Sequence, residues 1–254
     1  MTEQPRPRSH GSDPEGEHPE PDEGGHPPAT VGKTVKEGHW HSLSLLEQVA
    51  AVHSTRDLYR QVDGREIYLR PTDSGLTVLP LDPEAPKFVG AGHLGSLPPT
   101  EEKVTRNWAD YERKLSTARQ KPEERFSLRL VGSALADGLR LPDSDLLFLT
   151  QEWRFPTWAG GKRLDILAVE PDTGRLVIIE LKQRLADIVG AADQCRHYVR
   201  LLTTALPELG PFLGRLFSAM RGLYADEGRE GDVLVDLTLP PRAEVWSPQG
   251  RIRV

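Results

Sequence analysis

The sequence predicts an α/β (α+β) fold, helices set against a β-sheet, and three observations predict it. Three short β-prone segments follow one another at 146–155, 163–169 and 175–181; an amphipathic helical pattern precedes them; a longer one follows. Before these lies a smaller helix-plus-hairpin pattern, and before that a stretch almost without large apolar side chains. No internal repeat is evident.

The elements are justified in chain order. Residues 1–37 are rich in Pro, Gly, Glu, Asp and His, and carry eight acids against four bases. Such a composition cannot bury enough apolar surface to offset the entropy of ordering, so a disordered acidic tail is expected, with His10, His18, His26, His39 and His41 solvated. From Ser42, Leu43, Leu45, Leu46, Val49 and Val52 predict a helix. A hairpin follows, its arms marked by Ile67, Leu69, Leu76 and Val78 around Thr72-Asp73-Ser74-Gly75, with Gly75 free to take positive φ. Residues 82–99 hold four prolines and three glycines and read as a linker. Three parts are expected: the tail (1–37), a small helix-plus-hairpin module with its linker (38–99), and a larger domain (100–254).

Within that larger part, Thr100, Glu101 and Glu102 open a helical pattern carried by Val104, Trp108, Tyr111 and Leu115. A second helix is expected from Pro122 to Gly138, with Pro in its first turn, Gly at its exit and a wide apolar face. After the three strands, a helix is expected over 183–204 with a buried stripe of Leu185, Ile188, Ala192, Cys195, Val199 and Leu202, then a separate helix over 211–224 and one to three strands in 232–254. Cys195 lies in the stripe and is expected to be a packing thiol rather than a nucleophile.

The chain's 254 residues carry 32 Lys+Arg against 38 Asp+Glu, a formal charge of −6, of which the tail supplies −4. The nearly neutral body argues neither for nor against a polyanionic partner. A single cysteine excludes an intramolecular disulfide framework and fits a reducing compartment, so a cytoplasmic location is expected. No apolar run approaches a membrane span, and no membrane partner is expected.

The chemistry concentrates in GKRLDILAVEPDTGRLVIIELKQ. Two apolar runs flank Pro171-Asp172-Thr173-Gly174, a four-residue turn. With Glu170 opposite Arg175, Asp165 falls opposite Glu180, close enough for two carboxylates to share a divalent cation. Lys182, two residues on, shares the face of Glu180. The flanks Ile166, Leu167, Val169, Leu176, Val177, Ile178, Ile179 and Leu181 are apolar on both faces, so the pair belongs inside a sheet covered on both sides. Acids placed there need a metal, a basic partner or a proton.

Asp165, fourteen intervening residues, then Glu180-Leu181-Lys182 after an apolar strand resembles the signature of the PD-(D/E)XK nuclease superfamily, nearest the RecB-like and NucS-like branches. Gln194 and Tyr198 match the Gln-x-x-x-Tyr element of RecB-like nucleases; Leu164 stands where the family name has proline. The resemblance covers about residues 120–204. It implies a restriction-endonuclease-like core, a central mixed sheet flanked by helices in αβββαβ order. It further implies a Mg²⁺- or Mn²⁺-dependent nuclease acting on nucleic acid, with DNA expected. In that reading Asp165, Glu180 and the Leu181 carbonyl hold the metal, Lys182 is catalytic, and Gln194 and Tyr198 support the site. Glu123 or Glu124 on the preceding helix would add an acid, as would Glu152 if its strand pairs so that it faces Asp165. Lys162, Arg163 and Arg184, with Arg154, Arg196 and Arg200 nearby, are candidate phosphate contacts. Trp153 and Trp158 flank a loop beside the site and are expected to pack rather than stack on bases. The competing reading is a catalytically silent nuclease-fold module that binds nucleic acid or a protein. A homodimer or a partner protein would then engage the N-terminal module.

Overall fold

A computed structural model describes residues 35–51, 61–62, 65–80, 93–94, 122–154, 163–184, 187–225 and 234–254. The expected helix at 100–115, Lys162 and Trp158 lie outside these residues. Helix α1 (Glu37–Ala51) starts five residues before the expected Ser42, and Val35, placed by the sequence in the tail, is buried. Strands β1 (Gln61–Val62), β2 (Arg65–Thr72), β3 (Gly75–Pro80) and β4 (His93–Leu94) form an antiparallel sheet in that order. The β2–β3 turn pairs Thr72 with Gly75, whose φ of 129° is the positive value the turn requires.

Helix α2 (Pro122–Ala136) ends at Gly138, whose φ of 60° lets the chain leave the helix toward the sheet. Strands β5 (Leu147–Arg154), β6 (Arg163–Val169) and β7 (Leu176–Leu181) follow, then helix α3 (Ile188–Tyr224) and strands β8 (Arg242–Ser247) and β9 (Gly250–Arg253). The second sheet runs β5-β6-β7-β8-β9, antiparallel except where β8 lies parallel to β7. The chain is thus a mixed α/β protein with a five-stranded mixed sheet and three helices among its described residues. Every side chain of β7 is buried, as expected of an apolar run with strands on both edges.

The helices expected at 183–204 and 211–224 are one helix of 37 residues that passes through Pro207 and Pro211. A proline inside a helix removes one i→i−4 hydrogen bond and costs about 3 kcal/mol relative to Ala. The apolar stripe nevertheless keeps its phase across both prolines, through Leu202, Leu206, Leu209, Leu213, Leu216 and Met220, all buried. Each such side chain contributes about 1.5–3 kcal/mol when taken from water, which outweighs the missing bonds. The stripe also differs from the expected one at its start: Ala191, Cys195 and Tyr198 are buried, whereas Ala192 and Val199 are only partly so.

The helix-plus-hairpin module expected as a separate domain shares its core with the second sheet, and residues 32–254 form one compact unit. Trp40 of α1 packs edge-on against Phe212 of α3 at 5.2 Å, and Tyr68 of β2 meets Phe148 of β5 at 5.5 Å. Two buried hydrogen bonds cross the same boundary: Tyr68 with Thr150 (3.1 Å), and the Leu69 N–H donating to the Tyr224 hydroxyl (3.1 Å). His39, expected in solvent, lies in the first turn of α1 against Trp153 (5.1 Å), because the helix begins early enough to carry it there. Among the described residues, no helix is long and apolar enough to cross a membrane.

Candidate metal and phosphodiester site

The β6–β7 hairpin has the register expected from its turn. Ile166 pairs with Ile179 and Leu167 with Ile178, and the Glu170 N–H donates to the Arg175 carbonyl at 2.9 Å. Gly174 closes the turn at a φ of 70°. One step beyond Ile166–Ile179, Asp165 stands opposite Glu180. There the backbone ladder between these strands ends, and the Leu181 N–H donates to Asp165 Oδ2 at 2.9 Å. On the other edge of β7 the ladder continues to β8, with the Lys182 N–H bonded to the Trp246 carbonyl at 2.9 Å. The two acids therefore sit where one side of the strand opens while the other stays fixed.

Glu180 is the most buried charge of the group, its side chain 4% exposed, and Lys182 Nζ donates to its Oε1 at 2.6 Å. Its other oxygen, Oε2, is buried with no hydrogen-bond partner among the described residues. Burial first, and then the negative charge of Asp165, pushes the Glu180 carboxyl up to about 7, against the pull of Lys182. Burial draws the Lys182 amine down, but the hydrogen bond and charge of Glu180, with Asp165 and Glu123 behind it, leave it above the usual lysine value. The lysine thus stays an ammonium at neutral pH, and the carboxyl is poised to take or release a proton there.

Helix α2 supplies Glu123, whose charge acts on both Glu180 and Lys182, so it is one acid of the Glu123/Glu124 pair that reaches the site. Glu124 is on the same helix, its side chain outside the described residues. Helix α3 supplies Gln194, Cys195 and Tyr198. Gln194 Nε2 donates to the Tyr198 hydroxyl at 2.8 Å, and that phenol feels Glu180, Asp165 and Lys182. Tyr198 is buried, and burial leads the causes that raise its pKa. Cys195 is a packing thiol as expected: it is fully buried, and burial followed by Glu180 pushes it up to about 12.

Glu152 takes a different path. Gln151 pairs with Ile166 and Trp153 with Leu164, which puts Glu152 opposite Asp165. Its backbone has a φ of 50°, unusual for a non-glycine residue within a strand, and its Oε2 lies 3.5 Å from Arg163 and 3.9 Å from Arg70. Arg70, on β2, was not singled out by the sequence; no local pattern signals a contact across 82 positions. Trp153 packs against His39 and Phe212 as expected of a core residue. Arg184 is exposed, and Arg196 is exposed and paired with Asp193 at 2.6 Å.

The group fits a hard divalent cation on three counts. Asp165 and Glu180 are adjacent oxygen donors, one buried Glu180 oxygen lacks a partner among the described residues, and burial, followed by the charge of Asp165, raises the Glu180 carboxyl. Among the described residues no set of three or more His, Cys, Asp or Glu side chains forms a ligand cluster, so a cation here would draw further oxygens from the main chain and water. No family model matches this chain, and no curated protein or solved structure does either.

Proposed function

We propose that this protein is a Mg²⁺- or Mn²⁺-dependent nuclease that hydrolyses phosphodiester bonds in DNA, on a restriction-endonuclease-like core. The observation that carries this reading is the buried Oε2 of Glu180, without a hydrogen-bond partner among the described residues, placed opposite Asp165 and beside an ammonium at an opened strand end. The run of elements α2, β5, β6, β7, α3, β8 supports it, as do the Asp165, Glu180-Leu181-Lys182 and Gln194/Tyr198 signature positions around one spot.

Asp165, Glu180 and the Leu181 carbonyl would hold the metal, which when bound supplies charge neutralisation at the phosphate and a more acidic water. The chain's own residues prepare the rest. The Leu181 N–H fixes the Asp165 carboxylate. The raised pKa of Glu180 comes from burial and from Asp165, so a cation held at its Oε2 would favour the carboxylate form, with the proton passing to solvent water. Lys182 stays protonated and sets a positive charge beside the reacting phosphate, where charge builds in the transition state. Gln194 and Tyr198, locked to each other, orient the strand or a water.

The test is cleavage of labelled single-stranded DNA, duplex DNA and RNA in Mg²⁺ or Mn²⁺. Wild type is expected to cleave DNA, and Asp165→Ala and Lys182→Ala, folded by circular dichroism, to lose activity by about 100-fold or more. A wild type that cleaves nothing and shows no Mn²⁺ binding by calorimetry overturns the proposal and leaves a silent binding module.

A further inference from the structure

The three-residue group Arg70, Glu152 and Arg163 is not used by the chemistry above, and it joins the N-terminal hairpin to the strand that carries Asp165. Both guanidinium groups approach the same carboxylate oxygen, Glu152 Oε2, at 3.9 and 3.5 Å. These separations exceed the 2.7–2.9 Å or so of a tight charge-assisted hydrogen bond. The carboxylate is 10% exposed, while Arg70 and Arg163 keep 19% and 36% of their side chains in solvent. The cations therefore face outward around an anion that sits deeper.

The backbone gives a second, independent indication. Glu152 holds its φ of 50° in a strand where the pairs on both sides are regular antiparallel partners. Strained positions of this kind persist only where the surroundings over-determine them, and they concentrate at ligand sites. The register sets Glu152 opposite Asp165, a like-charge pair, and its carboxylate meets two arginines. Arg163 and Asp165 are two residues apart on β6, so the pleat puts both on one face, about 7 Å along the strand.

We propose that Arg70 and Arg163 form a phosphate-binding subsite beside Asp165, and that Glu152 holds the two guanidinium groups in place until a nucleic-acid phosphate takes them. Guanidinium groups suit this role, because their planar donors match phosphate oxygens in pairs. A strand lying along β6 would then set one phosphate on the arginines and a neighbouring one at Asp165 and Glu180. The inference rests on the nuclease reading for the identity of the ligand, and it makes the N-terminal hairpin part of the substrate path.

The test is the affinity of the full chain for a fluorescein-labelled single-stranded DNA, measured by anisotropy in EDTA over a salt series, alongside cleavage in Mn²⁺. Arg70→Gln and Arg163→Gln are each expected to weaken binding about 5- to 10-fold and to flatten the slope of log affinity against log salt by about 0.7. Arg70→Lys is expected to keep the slope, and Glu152→Gln to bind several-fold more tightly because a competing anion is gone. Unchanged affinity and slope in both Gln variants, with a wild type that binds and cleaves, overturns the subsite and leaves the nuclease reading standing. Loss of binding in those variants, with a wild type that cleaves nothing, keeps the subsite and overturns the nuclease reading. If Arg70→Gln does not fold, Arg70→Lys and Glu152→Gln decide: weaker or equal binding by Glu152→Gln overturns the proposal. A wild type that binds no DNA at low salt overturns it as well.

Discussion

Glu180 is the residue on which the site's physics turns. Its folded-state pKa, about 7, lies above the ordinary 4.5, so the fold prefers the protonated carboxyl. The sign follows: its contribution to stability is fully present below about 4.5 and is lost as pH rises through about 7. Metal-free protein is thus expected to melt at lower temperature at pH 8 than at pH 5 by this contribution. Glu180→Gln is expected to remove that part of the pH dependence and to stabilise the protein at pH 8 by on the order of 1–3 kcal/mol, the cost of an under-satisfied buried group. Melting curves of both proteins across pH in EDTA check this; equal slopes would mean that the carboxylate is satisfied in some other way. The placement of Glu180 opposite Asp165 was legible in the sequence, because turn chemistry and a period of two fix a hairpin's register. The arginine partners of Glu152 were not, since one comes from a strand far along the chain and the backbone there departs from the pleat.

At the scale of elements, the β6–β7 turn ties the hairpin to the segment that precedes β8. Gly174 has a φ of 70°, its carbonyl accepts the Asp236 N–H at 2.8 Å, and a Cβ there would lie 2.2 Å from the Leu234 carbonyl oxygen. Gly174→Ala therefore meets both a strained φ and an unyielding backbone neighbour. We expect it to destabilise the protein by about 2 kcal/mol or more, read from urea midpoints, because the turn must shift before β8 can pair with β7. A change under about 0.5 kcal/mol would show that 234–240 yields freely. The Pro and Gly of this turn were readable as a turn, but the reason that only glycine fits was not, since the obstructing carbonyl lies sixty residues away. Helix α3 shows the reverse case. Its prolines are local stop signals, and the long-range burial that overrides them has no local mark.

For the whole molecule, the shared core makes the hairpin and the second sheet one cooperative body. Tyr224, at the end of α3, accepts the buried Leu69 N–H with its hydroxyl. Tyr224→Phe leaves that donor unpaired and is expected to cost about 1–3 kcal/mol. Because the bond ties the first sheet to α3, the variant is expected to lower the midpoint of a single transition, seen together by circular dichroism and by tryptophan fluorescence. Two separated transitions would show that the hairpin folds apart from the sheet. The charge distribution, the α/β class, the strand hairpins and the acid–lysine group were set by composition, turn residues and periodicity, all of which act over a few residues. The continuity of α3, the burial of His39 and Tyr198, the joining of the two sheets and the Arg70–Glu152–Arg163 group were decided only by the tertiary structure. The physical reason is that each depends on which apolar faces meet across the chain, and that choice is made by total burial rather than by any local preference.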